Sequence, residues 1–248
     1  MSKAFVDHFQ GVTQHYLKHR PSYPAALFDW LAQRCSQHEL AWDCGTGNGQ
    51  AAASLAQHFQ RVLATDASAA QIAAATVHER VEYRLAPAEN SGLEPASVDL
   101  LIVAQALHWF DLERFYAEAR RVLKPTGIVA VWCYGIVELE GDAANQLLQH
   151  FYHQVVGPYW PAEREHVETG YRQLPFPFIP IEAPAFTMQV TWTRAQLMGY
   201  LRSWSAIGRY QAAQGVDPVL AFEQAISSAW GDAERGRLVS WPLSLRVG

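Results

Sequence analysis

Hydrophobic and polar positions along this chain change period repeatedly. HELAWDC, residues 38–44, reads as a short buried strand, and QAAASLAQHF puts Leu55, Ala56 and Phe59 on one helical face. RVLATDAS reads as a second strand ending on Asp66, followed by an alanine-rich helix from Ser68 to about Val77. VEYRLAPAEN is a third strand running into a turn. SVDLLIVAQALHWF is a fourth, nearly continuous in apolar residues, as a strand buried on both faces should be. DLERFYAEARRVLK is amphipathic, with Leu112, Phe115, Ala119 and Val122 inward, and it stops before Pro125 and Gly127. GIVAVWCY is a fifth strand. Strands alternating with helices predict a parallel sheet covered on both faces, with ligands at the carboxyl ends of its strands. That edge holds residues 43–49, Asp66, residues 88–89 and residues 105–109.

Beyond Glu138 the rhythm changes. A helix over 142–156 leads into proline- and aromatic-rich chain, YWPAER and YRQLPFPFIPIEAPAF, read as an irregular insertion over the sheet. PAFTMQVTW alternates like a strand. TRAQLMGYLRSWSAIGRYQAAQG and PVLAFEQAISSAWG read as two helices, and LVSWPLSLRVG as a last strand.

Composition narrows the function classes. The 248 residues are 50% hydrophobic and carry 19 Lys+Arg against 24 Asp+Glu, a formal charge of −5, with no basic stripe to hold a nucleic-acid backbone. No apolar run suits a leader or a membrane span. Cys35, Cys44 and Cys133 are scattered and odd in number, which suits a reducing cytoplasm and gives neither a disulfide framework nor a thiolate metal site. His15 and His19 stand four apart and His150 and His153 three apart, but no cysteine or acid completes a metal set, so no metal is expected.

AWDCGTGNGQ carries most of the chemistry. Gly45, Gly47 and Gly49 lie on a strand-to-helix turn, where glycine permits positive φ and close approach of a ligand to the backbone. With Asp66 ending the next strand, the layout is one that holds a nucleoside, the acid accepting both ribose hydroxyls. GNGQAA also satisfies the dinucleotide fingerprint, so an NAD-dependent oxidoreductase stays open. Against it, Asp43 precedes the glycines, where a pyrophosphate finds a negative charge unwelcome. S-adenosylmethionine, with a sulfonium and an ammonium and without phosphate, suits an acid there.

HFQGVTQHYLKHRPSYPAALFDWLA, WDCGTGNGQAA, TDAS, APAE, AQALHWFD, VLKPTGIVAVW, YLRSWSA and WPLSLRVG together resemble the class I S-adenosylmethionine-dependent methyltransferases. Within them the chain is similar to the group containing trans-aconitate methyltransferase and related small-molecule enzymes. The resemblance implies a doubly wound, Rossmann-like α/β fold whose seven-stranded sheet has its last strand antiparallel. It divides one domain into N-terminal lid helices (1–36), a cofactor-binding core (37–136) and a cap insertion with the closing strands (137–248). S-adenosylmethionine would be the cofactor and S-adenosylhomocysteine its product. The acceptor would be a small molecule, with neither nucleic acid nor membrane as partner, and the favoured reaction O-methylation of a carboxylate-bearing metabolite. A non-catalytic cofactor-binding module is the alternative from another class.

Site residues follow from matching motifs. Asp43, Gly45, Thr46, Gly47, Asp66, Ala67 and Gln105 would bind cofactor. Many relatives carry an acid before the Ala-Glu pair to bind adenine; here that place is Pro87, leaving Ala88 and Glu89. Tyr16, Arg20 and Tyr23 would line the lid, the two tyrosine rings suited to a cationic sulfur. Trp109, Arg202 and Trp204 join Tyr23 as candidates for the acceptor pocket, an arginine there gripping a carboxylate. His108, just past the fourth strand, is the catalytic candidate, as a base titrating near neutrality or as a hydrogen-bonding positioning group.

Overall fold

In a computed structural model the described residues are 21–248. Tyr16, Arg20 and the histidine pair His15 and His19 lie outside them.

Four parallel strands form the centre: β1 (Leu40–Cys44), β2 (Arg61–Asp66), β3 (Val81–Leu85) and β4 (Val98–Ala104), with β5 (Leu123–Tyr134) parallel to β4. The order runs β3-β2-β1-β4-β5-β8. The closing strand β8 (Arg237–Val247) is antiparallel to β5, as the resemblance implies. Its first half carries β7 (Thr187–Trp192) on one side and the two-residue β6 (Glu138–Leu139) on the other. Chain order reverses between β1 and β4, the switch point where open α/β sheets bind ligands.

The buried strands show why their sequences are apolar throughout. Leu100 and Ile102 of β4, with Ala130 and Trp132 of β5, enter the core on one face of the sheet. Leu101 and Val103, with Val129, Val131 and Cys133, enter the core on the other. The first face is covered by α1 (Ala25–Ala32), α2 (Gln50–Leu55) and the cap helices. The second is covered by α4 (Leu112–Val122), through Phe115, Ala119 and Val122. Leu112 is half-buried. The Asp111 carboxylate accepts from the Arg114 N–H to cap α4, and Arg120 and Arg121 close its last turn, where cations complement the dipole.

Two expected helices are shorter. The alanine-rich one is α3 (Ala69–Ala73), capped by Ser68. Beyond it the chain is drawn outward, Thr76 N donating to Asn48 O and Thr76 O accepting from the Tyr83 hydroxyl. The single helix expected over 193–215 is two, α7 (Arg194–Arg202) and α8 (Ser205–Gln214). Trp204 between them is extended, and its ring packs with Phe151, Tyr152, Trp160 and Tyr200. That indole is half-buried in the cluster.

The cap begins with α5 (Asp142–His150), which widens into a π turn over Phe151–Val155, and continues through α6 (Arg164–Glu168). The proline-rich stretch after it is pinned by hydrogen bonds to its carbonyls. Arg246 donates to Tyr171 O and Leu174 O, the Tyr116 hydroxyl to Pro175 O, and Arg120 to Pro177 O. The last cap helix is α9 (Pro218–Trp230). No helix among the described residues is long and apolar enough to cross a membrane.

Candidate active site

The glycine turn is held by backbone. Gly45 N and Thr46 N both donate to Thr65 O, at 2.8 and 2.9 Å, which binds the turn to the end of β2. Gly45 has φ +72°, and a Cβ there would lie 2.6 Å from Ala106 Cβ, so both conformation and space demand glycine. Gly47, at φ +57°, differs: a Cβ there would meet only Gln71 Oε1, at 3.7 Å. Among the described residues its backbone meets no more than this ordinary contact, which leaves room for a ligand to approach.

Two carboxylates flank the turn. Asp66 takes Gly47 N–H on Oδ2 and Ser68 N–H on Oδ1, each at 2.8 Å, so it fixes the loop around itself. A carboxylate accepts about four hydrogen bonds, so this does not exhaust it. Asp43 is fully buried; Thr46 Oγ1 donates to its Oδ2 at 2.6 Å, the Ala52 N–H is turned toward the carboxylate, and Oδ1 makes no well-formed hydrogen bond to a described residue. Burial pushes its pKa up to about 7, the Asp66 charge adding to the rise and the Thr46 bond opposing it.

Gln105 ends β4 at φ +61°, a left-handed conformation uncommon for residues other than glycine. Its N donates to Trp132 O at 2.8 Å and its Oε1 accepts from Tyr134 N at 2.9 Å, joining the ends of β4 and β5. Ala67 is exposed at the end of β2, and Ala88 is buried. Glu89 Oε1 accepts from Asp111 N at 2.9 Å, at the entry to α4. Gln50 Nε2 donates to Pro21 O, bringing the start of the described chain onto the turn. Tyr23 is buried with its ring edge-on to Trp132 at 5.4 Å, so it stands at the same end of β5.

His108 lies in a short 3₁₀ turn after β4. Its Nδ1 is 2.8 Å from the Tyr171 hydroxyl, and its ring stands 4.7 Å from that of Trp109. Burial, with Arg164 and then His166 opposing a second positive charge, lowers its pKa to about 3. The expectation of a base titrating near neutrality therefore does not hold: His108 is neutral across the physiological range.

Two candidates from the cap are occupied otherwise. Arg202 is exposed on α7, with Nε 2.9 Å from Asp217 Oδ2. Trp204 sits in the ring cluster between α7 and α8.

Reading residues in order gave no sign of Arg164, Tyr171, Tyr152, Trp160, Tyr134 or Tyr200. Arg164 is mostly buried, its Nε donating to the Tyr152 hydroxyl at 2.9 Å and its guanidinium 4.9 Å from the Trp160 ring. Its charge is felt at His108, Cys133, Tyr134 and Tyr200, which belong to β5, α7 and the turn after β4. The one usable signal was a lone arginine inside YWPAER, an otherwise aromatic and proline-rich run.

Residues 42–131 match the family model of the methyltransferase domain. The chain is 31% identical over 229 residues to a protein described as a methyltransferase in Dictyostelium discoideum, covering 91% of this chain and 87% of the relative. It is 31% identical over 188 residues to methyltransferase cfoB of Aspergillus candidus, covering 65% of this chain and 59% of that one. A solved structure described as a type II methyltransferase from Anaeromyxobacter dehalogenans superposes with a TM-score of 0.89 at 45% identity, covering 92% of this chain and 97% of that one.

Proposed function

The chain belongs to the class I S-adenosylmethionine-dependent methyltransferases, and from that premise we propose that it methylates a small, carboxylate-bearing acceptor on oxygen. The observation that carries the cofactor half is Asp43, buried directly behind the glycine turn with no well-formed hydrogen bond from Oδ1 to a described residue. A pyrophosphate there would face an acid; the ammonium of S-adenosylmethionine would complete it. In this reading Asp43, Gly45, Thr46 and Gly47 hold the methionine end and Asp66 and Ala67 the ribose. Ala88 and Glu89 flank adenine. Gln105, His108 and Trp109 stand where the methyl group is presented, with Tyr23 beside it.

S-adenosylmethionine held by these residues would supply an already activated methyl group, and a carboxylate acceptor would give up no proton in taking it. What the residues must supply is then alignment and exclusion of water rather than proton transfer. A neutral His108 with a pKa of about 3 fits that division of labour, since it is a poor base for a hydroxyl acceptor. Calorimetry should detect S-adenosylhomocysteine and not NAD. A screen with methyl-labelled cofactor over small acids, phenols and amines should label acids. NAD binding without S-adenosylhomocysteine binding would overturn the cofactor assignment, and labelling confined to amines would overturn the acceptor class.

A further inference from the structure

The His108–Tyr171 pair decides which ring nitrogen carries the proton. Tyr171 is fully buried, and the only acceptor within reach of its hydroxyl among the described residues is His108 Nδ1, at 2.8 Å. If Nδ1 held the proton, the phenolic hydrogen would be buried without a partner, which is costly. Tyr171 therefore donates, Nδ1 accepts, and the imidazole hydrogen sits on Nε2. The phenol is itself a very weak acid, burial holding its pKa well above the ordinary value, so it keeps its proton. No described residue accepts from Nε2. His108 offers a hydrogen and, its lone pair being taken, no base.

Arg164 presents a second set of donors. Nε is taken by the Tyr152 hydroxyl, which in turn donates to Glu168 Oε1 at 2.5 Å. Glu168 stands 3.9 Å from Nε, so through Tyr152 it orients the guanidinium without closing its fork. Neither terminal nitrogen of Arg164 makes a hydrogen bond to a described residue. The rings of Trp160 and Tyr152 flank the group, and a cavity of about 370 Å³ opens beside it, lined by Tyr152, Trp160, Pro161, Arg164 and Glu168 among others. Glu165 also lines that cavity, from the exposed side of α6. Among the described residues, the charged and titratable neighbours of His108 are Arg164, His166 and Tyr171. None of them is an acid.

We propose that Arg164 seats an acceptor that arrives already ionised, gripping a carboxylate through its open fork in the cavity that Glu165 and Glu168 also line, and that His108 donates to the same acceptor from Nε2 as the tautomer that Tyr171 imposes. The assignment rests on the methyltransferase reading for the reaction it serves, but the seat is testable without turnover. A planar fork matches a carboxylate in a way that an ammonium does not.

The test titrates benzoate, benzamide, glutarate and glutaramide into the full chain, with and without saturating S-adenosylhomocysteine. At least one acid should bind, its amide at least 10-fold more weakly, and the better acid tells an aromatic from an aliphatic acceptor. Arg164→Gln should lose at least 10-fold for the acid and Arg164→Lys less, both with unchanged S-adenosylhomocysteine affinity. Nitrogen-15 spectra of the wild-type protein should show Nδ1 of His108 unprotonated and Nε2 protonated at neutral pH, a readout that needs no variant. Amides binding as well as acids, neither acid binding, an unimpaired Arg164→Gln variant or a proton on Nδ1 would each overturn the seat. Loss of S-adenosylhomocysteine binding by the wild type would instead overturn the methyltransferase reading, while the acid titration and the spectra still judge the seat.

Discussion

Around the glycine turn, the bonds that shape the site come from two short segments, residues 43–49 and 65–68: Gly45 and Thr46 to Thr65, Gly47 and Ser68 to Asp66, Thr46 to Asp43. Around Arg164, the partners come from α5, α6, α7, the end of β5 and the turn after β4. The first region is built mostly of main chain, with glycines where the main chain must bend. The second is built of long side chains meeting from distant segments. A backbone cradle tolerates almost no substitution and recognises an invariant ligand. A side-chain seat can be rebuilt residue by residue, which is how one fold serves many acceptors. Substitutions should therefore behave differently in the two regions.

The largest effect is expected inside the turn. Gly45→Ala combines a left-handed backbone with a clash against Ala106 and should cost more than about 3 kcal/mol in urea unfolding. Gly47→Ala meets no more than an ordinary contact and should cost only the conformational term, about 1–2 kcal/mol, while still weakening S-adenosylhomocysteine binding. Equal costs at the two positions would break the picture of a turn packed on one side and open to ligand on the other.

Asp43 should come next, and its effects on affinity and on stability should oppose each other. Asp43→Asn should weaken S-adenosylhomocysteine by about 1.5–3 kcal/mol, the worth of a charge-assisted bond. In the folded protein Asp43 keeps its proton up to about pH 7, whereas unfolded it releases it near 3.8. Its contribution to stability is thus fully present below pH 3.8 and is lost as pH rises toward 7. Denaturation of wild type and variant against pH should converge in acid and diverge at about pH 8, with the wild type penalised. Wild-type affinity for S-adenosylhomocysteine should rise with pH through about 7, since the ionised acid is the form that pairs with an ammonium. A pH-independent affinity would remove Asp43 from the ammonium site.

Tyr171→Phe probes the other region and should be milder. Removing the hydroxyl should cost about 1 kcal/mol of stability, raise the KM for the acceptor several-fold and leave S-adenosylhomocysteine affinity unchanged. Loss of a hydrogen bond donated to neutral His108 should also raise that residue's pKa from about 3, which nuclear magnetic resonance titration would register. In the wild type, folded His108 stays neutral while the unfolded chain protonates near 6.5, so its contribution to stability is present above pH 6.5 and is lost as pH falls. A variant with unchanged acceptor KM and unchanged His108 titration would show that Tyr171 only packs.

The same contrast explains what the sequence disclosed. β1, β2, the glycine turn and Asp66 follow from short-range rules: a buried run, glycines at positive φ, an acid at a strand end. The antiparallel β8 was implied by resemblance, and its pairing with both β5 and β7 is long-range. Arg164 and Tyr171 obey no local pattern. Their placement follows from Arg246 of β8 and Tyr116 of α4 pinning the proline-rich stretch, contacts that span more than fifty residues. Motif matching singled out Arg202, on a long cap helix, whereas the arginine proposed for the acceptor opens the five-residue helix α6 inside an otherwise irregular stretch. The pKa of His108 was misjudged for a related reason, because its burial depends on that insertion.

Arg202 supplies the smallest effect and the sharpest control. Its Nε is 2.9 Å from Asp217 Oδ2 and its Nη2 is 3.9 Å from Glu223, while the side chain is 39% exposed, so solvent screens both pairs. Asp217 also caps α9, its Oδ1 accepting from Val219 N, so it stays bonded when the arginine is gone. Arg202→Gln should therefore cost no more than about 0.2–1 kcal/mol, and less at high salt. It should leave both S-adenosylhomocysteine affinity and acceptor KM at wild-type values. Measured beside Arg164→Gln on one acceptor, it asks which arginine the carboxylate meets. A rise in KM for Arg202→Gln as large as that for Arg164→Gln would mean that the cap presents its outer helix to the acceptor, and that the donor seat reaches beyond α6.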